Sequence, residues 1–325
     1  MSSCDALPEG LTYYPDSEPG ITRARHGRGF TFRAPDGTTL ARGPVRARCL
    51  ALAVPPAYEN VWISPKENGH LQATGLDARA RKQYRYHAAW SQARAAEKFD
   101  RLAEFARALP RIRARVRRDL HEDVGEEAFA LAAAVLMIDR LAIRVGNDTY
   151  ARDNGSYGIT TLQRRHLRLD DGGLTLAFTA KGGKKVRRRL SDKKVLKTLD
   201  KIRDLDGAQL LTWIDAQEQP RSLTSHALNA YLGDAGSGEF TAKTFRTWAG
   251  TLAAFEAVEN GATTIKALAG AASARLANTP TVARNSYIHP RVISLVEEAH
   301  VPAVTPARLS GLRVAENRLL GFLES

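Results

Sequence analysis

Two cysteines in 325 residues, Cys4 and Cys49, exclude a disulfide framework and any cysteine-based zinc site of ordinary spacing. The longest nearly pure apolar run, Ala128 to Ile138, falls short of the roughly 20 residues a membrane-spanning helix needs. The first ten residues, MSSCDALPEG, offer neither a basic segment nor the apolar stretch of a secretory leader, so a cytoplasmic protein is expected, nucleoid-associated if its source is a bacterium. Nucleotide signatures are missing as well. Gly183-Lys184 is followed by Lys185 where a P-loop requires Ser or Thr, and Phe178 stands at its leading glycine position. Neither Gly27-Arg28-Gly29 nor Gly236-Ser237-Gly238 completes a dinucleotide fingerprint. His121-Glu122 begins like a zinc-protease helix but meets Gly125 where the second His must stand. Acidic residues are in deficit: 35 Asp plus Glu against 48 Lys plus Arg leave a formal charge of +13. A surface of that sign suits nucleic acid, anionic lipid or simple solubility, and of these nucleic acid is the expected partner.

The length suffices for about two domains, each with its own core. Short β-type runs, Phe30 to Arg33 and Thr38 to Leu40, flank Pro35-Asp36-Gly37, and a second pair, Val61 to Ile63 and His70 to Gln72, flanks the turn Pro65 to Gly69. From about Ser91 the period becomes helical, with Phe99, Leu102, Phe105 and Leu109 recurring on one face, so a boundary is expected between Tyr86 and Ser91. A helical pattern through Glu126 to Val145 breaks at Gly146. Three strand-like segments follow, His166 to Leu169, Leu174 to Thr179 and Val186 to Leu190, parted by Asp170-Asp171-Gly172-Gly173 and Gly182-Gly183. Helix then resumes after Ser191 as N-cap, with Val195, Leu196, Leu199, Ile202 and Leu205 on one face before Gly207. It recurs over Ser225 to Leu232, Thr241 to Glu259, Thr264 to Leu276, from Thr279-Pro280, and in the tail from Arg291 to Ser325. The expected class is α+β: a small β-rich domain over residues 1–90, then a mainly α-helical domain over 91–325 carrying a small three-stranded sheet.

The chemistry-bearing residues of the helical part are basic or phenolic. Arg144 ends an apolar helix in Arg140-Leu141-Ala142-Ile143-Arg144-Val145-Gly146, where a guanidinium needs an anion, either an internal carboxylate or a ligand. Lys181 sits at a hairpin tip beside Gly182-Gly183, in a basic run with Lys184, Lys185, Arg187, Arg188 and Arg189. Lys243 and Arg246 share a helix face through i,i+3 spacing in Lys243-Thr244-Phe245-Arg246-Thr247-Trp248. Asn278-Thr279-Pro280 and then Tyr287, in Arg284 to Pro290, complete the set. The arginines from Arg107 to Arg118 read as a solvated helix face, or alternatively as more of the anion-binding surface.

In combination and order these residues resemble the catalytic set of the type IB DNA topoisomerases, in the small poxvirus-like group that also occurs in bacteria. That family carries Arg in an Ile-Arg-x-Gly segment, Lys on a β-hairpin, Arg in Lys-x-x-Arg-Thr, His or Asn before Thr-Pro, and a tyrosine nucleophile, matched here by Arg144, Lys181, Arg246, Asn278 and Tyr287. The resemblance extends into the first domain, where Gly69 to Gly75 and Arg81 to His87 look like the family's DNA-contacting segment, and covers about Val61 to Pro290. It implies the tyrosine recombinase and topoisomerase IB catalytic fold, and a β-rich domain that closes with the helical one around duplex DNA. It also implies relaxation of supercoils through a 3′-phosphotyrosyl intermediate, with neither ATP, cofactor nor metal. Gln72, Arg81, Lys82, Tyr84, Tyr86, Lys184, Lys185 and Lys243 are then the expected DNA contacts, and a monomer the expected state. Asn278 stands where the poxvirus enzymes carry His; it can donate a hydrogen bond to phosphate but cannot hold a charge. Two alternatives stand beside this reading. A tyrosine recombinase usually has His three residues before the second Arg, where this chain has Lys243, and its DNA-grasping domain is typically helical. A non-enzymatic basic DNA-binding protein explains the charge but leaves the ordered set an accident.

Overall fold

Strand β1 (Ile21–His26) reverses at Gly27, whose φ of +55° suits a residue without a side chain, and pairs antiparallel with β2 (Gly29–Arg33). Helix α1 (Pro44–Ala51) follows, opened by proline at its first position, then β3 (Glu59–Ile63), β4 (Leu71–Leu76) and β5 (Lys82–Tyr86). The strands form one antiparallel sheet in the order β2-β1-β3-β4-β5, and Ile21, Phe32, Cys49, Val61, Ile63 and Ala73 bury its small core. Thr38 to Leu40 is not the expected strand. Asp36 Oδ1 accepts from both the backbone N and Oγ1 of Thr38, bending the chain, and one bridge from Arg33 to Thr39 remains. The partner of β2 is β1 instead, whose weak apolar alternation gave no signal.

This computed structural model describes residues 7–170, 173–202, 209–298 and 304–325. The chain divides into two compact units, Met1–Lys98 and Phe99–Ser325, with the division inside α2 (Ala88–Asp100).

The second unit begins with α3 (Leu102–Asp119) and α4 (Glu127–Leu141). Phe129 to Ile138 are buried without interruption, so α4 is the central helix, apolar on every side. It ends at Leu141 rather than running to Val145, because Ala142 takes the left-handed conformation (φ +53°) that terminates helices. Next come α5 (Asp148–Asn154), then β6 (Leu167–Asp170), β7 (Gly173–Ala180) and β8 (Lys184–Arg189), antiparallel in that order. Helix α6 (Lys193–Ile202) is capped by Asp192, whose Oδ1 accepts from the backbone of Lys194 and Val195, and not by Ser191. The expected Leu205 and Gly207, and the hairpin residues Asp171 and Gly172, lie outside the described residues. A two-stranded ribbon, β9 (Thr212–Ile214) with β10 (Pro220–Ser222), precedes α7 (Ser225–Gly236), α8 (Ala242–Glu259), α9 (Ile265–Leu276), α10 (Pro280–Tyr287), α11 (Pro290–Glu297) and α12 (Val314–Glu324). The architecture is the expected one in class, a β-rich region followed by a helical region with a small three-stranded sheet.

Candidate active site

Arg144 lies on the extended segment beyond α4. Its carbonyl accepts from Ile159 N at 2.8 Å, and the carbonyl of Val145 accepts from Thr160 N at 2.8 Å, so the segment is stitched to Ile159 and Thr160. Two glycines make that approach possible. Gly146 has φ +112°, and a Cβ on Gly158 would lie 2.5 Å from Gly146 N and 2.6 Å from the Arg144 carbonyl oxygen.

Arg246 is carried on the inward face of α8 and is only 4% exposed. One amino group donates to the carbonyl of Ala142 and the other to Leu276 at 3.0 Å, the C-terminal ends of α4 and α9. Helix C-termini carry partial negative charge, which compensates part of the guanidinium's charge without supplying a full anion. Among the described residues no carboxylate lies within ion-pair distance of Arg144, Arg188 or Arg246, so the internal salt bridge open to Arg144 is not formed. Burial, then the repulsion of Arg144, pulls the Arg246 guanidinium down to about 10, and Tyr287 offsets part of this. Its Nε is buried with no partner. A charge held this way is poised for an anion from outside.

Tyr287, the last residue of α10, places its ring 5.2 Å from the Arg246 guanidinium. Thr279 caps this helix by accepting from Val282 N, and Pro280 opens it. Thr251 of α8 donates its hydroxyl to the Tyr287 carbonyl at 3.1 Å. Gly250 lets the two helices meet there, since a Cβ at that position would lie 2.8 Å from the same carbonyl oxygen.

Asn278 follows Ala277, the left-handed cap of α9. Its side chain is 4% exposed, yet neither its amide nitrogen nor its oxygen has a partner. Lys181 is exposed at the tip joining β7 and β8, its ammonium 6.0 Å from the Tyr150 ring on α5. Among the described residues no hydrogen bond joins Lys181 to the other four. Arg144, Arg188 and Arg246 line one cleft with Tyr157, Phe178 and Leu276. Arg188 was not singled out from its basic run; its place on β8, two residues after the buried Val186, was the available signal.

The expected DNA contacts divide. Tyr84 and Tyr86 on β5 stack at 6.0 Å and are 52% and 43% exposed, with the Lys82 ammonium over the Tyr84 ring. Lys82 also pairs with Asp16 at 2.6 Å, and Arg81 with Asp77 at 2.6 Å, holding the Asp77 carboxyl down to about 2. Gln72 is 5% exposed and fully engaged: its nitrogen donates to Glu67 and Gly69, and its oxygen accepts from Arg48. It would meet DNA only by giving up that turn. Lys185 donates to Thr179, and Lys184 to the backbone of Asn278. Lys243 is exposed whereas Arg246 is buried, so their spacing does not make one surface. The arginines after Arg107 are not simply solvated: Arg107, Arg113, Arg115 and Arg118 pair with carboxylates, and Arg111 donates to the Gly236 carbonyl. No helix among the described residues is long and apolar enough to cross a membrane.

Residues 87–289 match the family described as Eukaryotic DNA topoisomerase I, catalytic core, and residues 29–77 match Bacterial DNA topoisomerase IB, N-terminal domain. A DNA topoisomerase 1B of Acanthamoeba polyphaga mimivirus is 29% identical over 285 residues, 83% of this chain and 85% of that protein. A DNA topoisomerase I of Monkeypox virus and a DNA topoisomerase 1B of Vaccinia virus (strain Copenhagen) are each 24% identical over 124 residues, 38% of this chain and 39% of those proteins.

Proposed function

The chain belongs to the type IB DNA topoisomerase family, isomerases that act on DNA, and we propose that it relaxes supercoiled duplex by transient cleavage of one strand through Tyr287. The observation that carries this reading is the Tyr287 ring against a buried arginine that has no carboxylate partner among the described residues, with Arg144 beside it. The Tyr287 hydroxyl oxygen bonds to a backbone phosphorus and the bond from phosphorus to the 5′ oxygen breaks, leaving a 3′-phosphotyrosyl ester. One phosphodiester replaces another, so resealing needs no ATP. Two protons move: the phenol loses one to solvent water, and the leaving oxygen gains one from Lys181, the general acid. Arg144, Arg246 and Asn278 hold the non-bridging oxygens as charge builds, each such donor being worth roughly 3 kcal/mol by analogy with oxyanion holes. Three cationic side chains do the work that a divalent metal does elsewhere.

Residues 1–90 act as the DNA-clamp domain of a monomer, and 91–325 as the catalytic domain. Tyr84, Tyr86, Arg81 and Lys82 of the first, and Lys185 and Lys243 of the second, lie against the duplex, which the +13 charge favours. The enzyme works in the cytoplasm, on the nucleoid in a bacterium. The test is a plasmid assay with EDTA and no nucleotide. Relaxation of positive and negative supercoils is expected; persistence of either sign removes the reading.

A further inference from the structure

We propose that Lys184 and Arg188 clip the hairpin carrying Lys181 onto the junction between α9 and α10, and are positioning residues for the general acid. The inference rests on the reading of Lys181 given above. Lys181 occupies a tip, Lys181–Gly183, in which Gly182 and Gly183 have φ of +79° and +75°. Two glycines bring no side chains to anchor a tip, and a catalytic group has to be held within about 0.5 Å of its productive position. Apart from the Tyr150 ring, 6.0 Å from the Lys181 ammonium, what fixes the tip must therefore act at the base of the hairpin.

Two long cations on β8 do so. Lys184 is the first residue after the tip and lies opposite Ala180, the residue before it. Its ammonium donates to the carbonyl of Asn278, which also accepts from Ser273 Oγ at 2.7 Å. Arg188 lies opposite Leu176, and one of its amino groups donates to the carbonyls of Ala274, at 3.1 Å, and Arg275. Residues 184, 186 and 188 share a face by the strand's period of two, and the middle one, Val186, is buried. The face is thus pinned at both ends with an apolar contact between. Each pin ends on the C-terminal turn of α9 or just past it, where unsatisfied carbonyls and the helix dipole favour a cation. The same short stretch supplies the Leu276 carbonyl to Arg246 and the side chain of Asn278. The clip thereby ties the proton donor to the groups that hold the phosphate. Lys184 was expected to contact DNA; here its ammonium is directed at the protein's own backbone.

Single-turnover strand cleavage by the full-length enzyme tests this, using duplexes with oxygen or sulfur bridging at the 5′ leaving position. A thiolate leaves without protonation, so the sulfur substrate reports every step except the acid's. Lys184→Met is expected to slow the oxygen substrate on the order of 10 to 100-fold, the penalty of a misplaced group, and to leave the sulfur substrate near the wild-type rate. Added to Lys181→Ala it should cost nothing further, because a group that acts through Lys181 has nothing left to act on. Arg188→Met should behave alike, and Arg188→Lys, which can still donate to a carbonyl, should recover part of the rate. The proposal is overturned if Lys184→Met multiplies with Lys181→Ala, slows both substrates equally, or weakens only equilibrium binding to DNA, as a phosphate contact would. If Lys181→Ala itself is not rescued by sulfur, the general-acid reading fails, and the double variant still shows whether Lys184 works through Lys181. Position 184 is exposed, so its variant is decisive even if Arg188→Met does not fold.

Discussion

Asn278 gives the most direct test of whether a buried side chain is kept for a ligand. A buried amide with both polar atoms unpartnered costs the free protein roughly 1 to 3 kcal/mol for each unsatisfied group. Leucine has the same branched skeleton of heavy atoms, though with bulkier methyl groups, and no polar atoms. Asn278→Leu should therefore raise the stability of the free protein by about 1 kcal/mol or more in urea unfolding, and slow strand cleavage by roughly 10². A variant that loses stability and keeps its cleavage rate would show Asn278 to be an ordinary core residue. Tyr287 allows a sharper separation of binding from chemistry. Tyr287→Phe keeps the ring against Arg246 and removes only the attacking oxygen. Duplex affinity should stay close to wild type in a filter-binding titration, while no protein remains attached to DNA after denaturation. Attachment through a different tyrosine would move the nucleophile elsewhere in the chain.

The proposed nucleophile, Tyr287, is held by a meeting of helices, and Gly250 is where that meeting can be disturbed without touching a reacting group. An added methyl would lie 2.8 Å from the Tyr287 carbonyl oxygen, 2.9 Å from Leu276 Cδ1 and 3.0 Å from Tyr287 Cβ. Something must shift, and the backbone of α10 is the neighbour in the way. Gly250→Ala should lower cleavage on the order of 10²-fold, a displacement of about 1 Å being enough, while duplex binding is kept. Unchanged cleavage would mean that α8 and α10 have slack between them. Gly250 carried no mark in the sequence, because its reason is a contact 37 residues away. Arg144, Lys181, Arg246, Asn278 and Tyr287 were legible only together, as an ordered set that resembles a known family's, and none stood out by composition or periodicity alone. What held them was not: the helix-end carbonyls that receive Arg246, Lys184 and Arg188 are backbone groups, and every residue has one. Helices with strong apolar periods, such as α3 and α6, were legible too. The strand β1 and the ribbon of β9 and β10 were not, because pairing across space, rather than a local pattern, makes them strands.

Across the whole second unit, acid should act on the free protein in two steps. His166 and His289 are both held down to about 4, mainly by burial. Each is neutral in the fold and accepts a backbone N–H at Nδ1, from Gln163 and Arg291 respectively. The unfolded chain protonates them near 6.5, so the stability they contribute is complete above that pH. It declines as pH falls from 6.5 toward 4, by at most roughly 3 kcal/mol for each. Glu316 of α12 gives the second step. It is fully buried, binds Arg113 at 2.7 Å and the indole N–H of Trp248 at 3.4 Å, and its carboxyl is held down to about 2. Asp139 of α4 joins the same cluster through Arg113 and Arg313, so the C-terminal helix is tied to the core that carries Arg246. A depressed carboxyl contributes stability above its unfolded value of 4.5 and loses it as pH falls toward 2. Urea unfolding followed from pH 7 to pH 2.5 should then show a decline beginning near 6.5 and a second below 4.5. In His166→Asn, which can still accept from Gln163, the first decline should shrink while the second persists. In Glu316→Gln the protein should be weaker at pH 7 by about 3 kcal/mol, since Arg113 and Arg313 lose a buried partner, and the second decline should become shallower, the remainder belonging to other depressed carboxyls such as Asp77 and Asp119. A wild-type stability flat from pH 7 to pH 4.5 would mean that neither histidine is neutral and buried in solution.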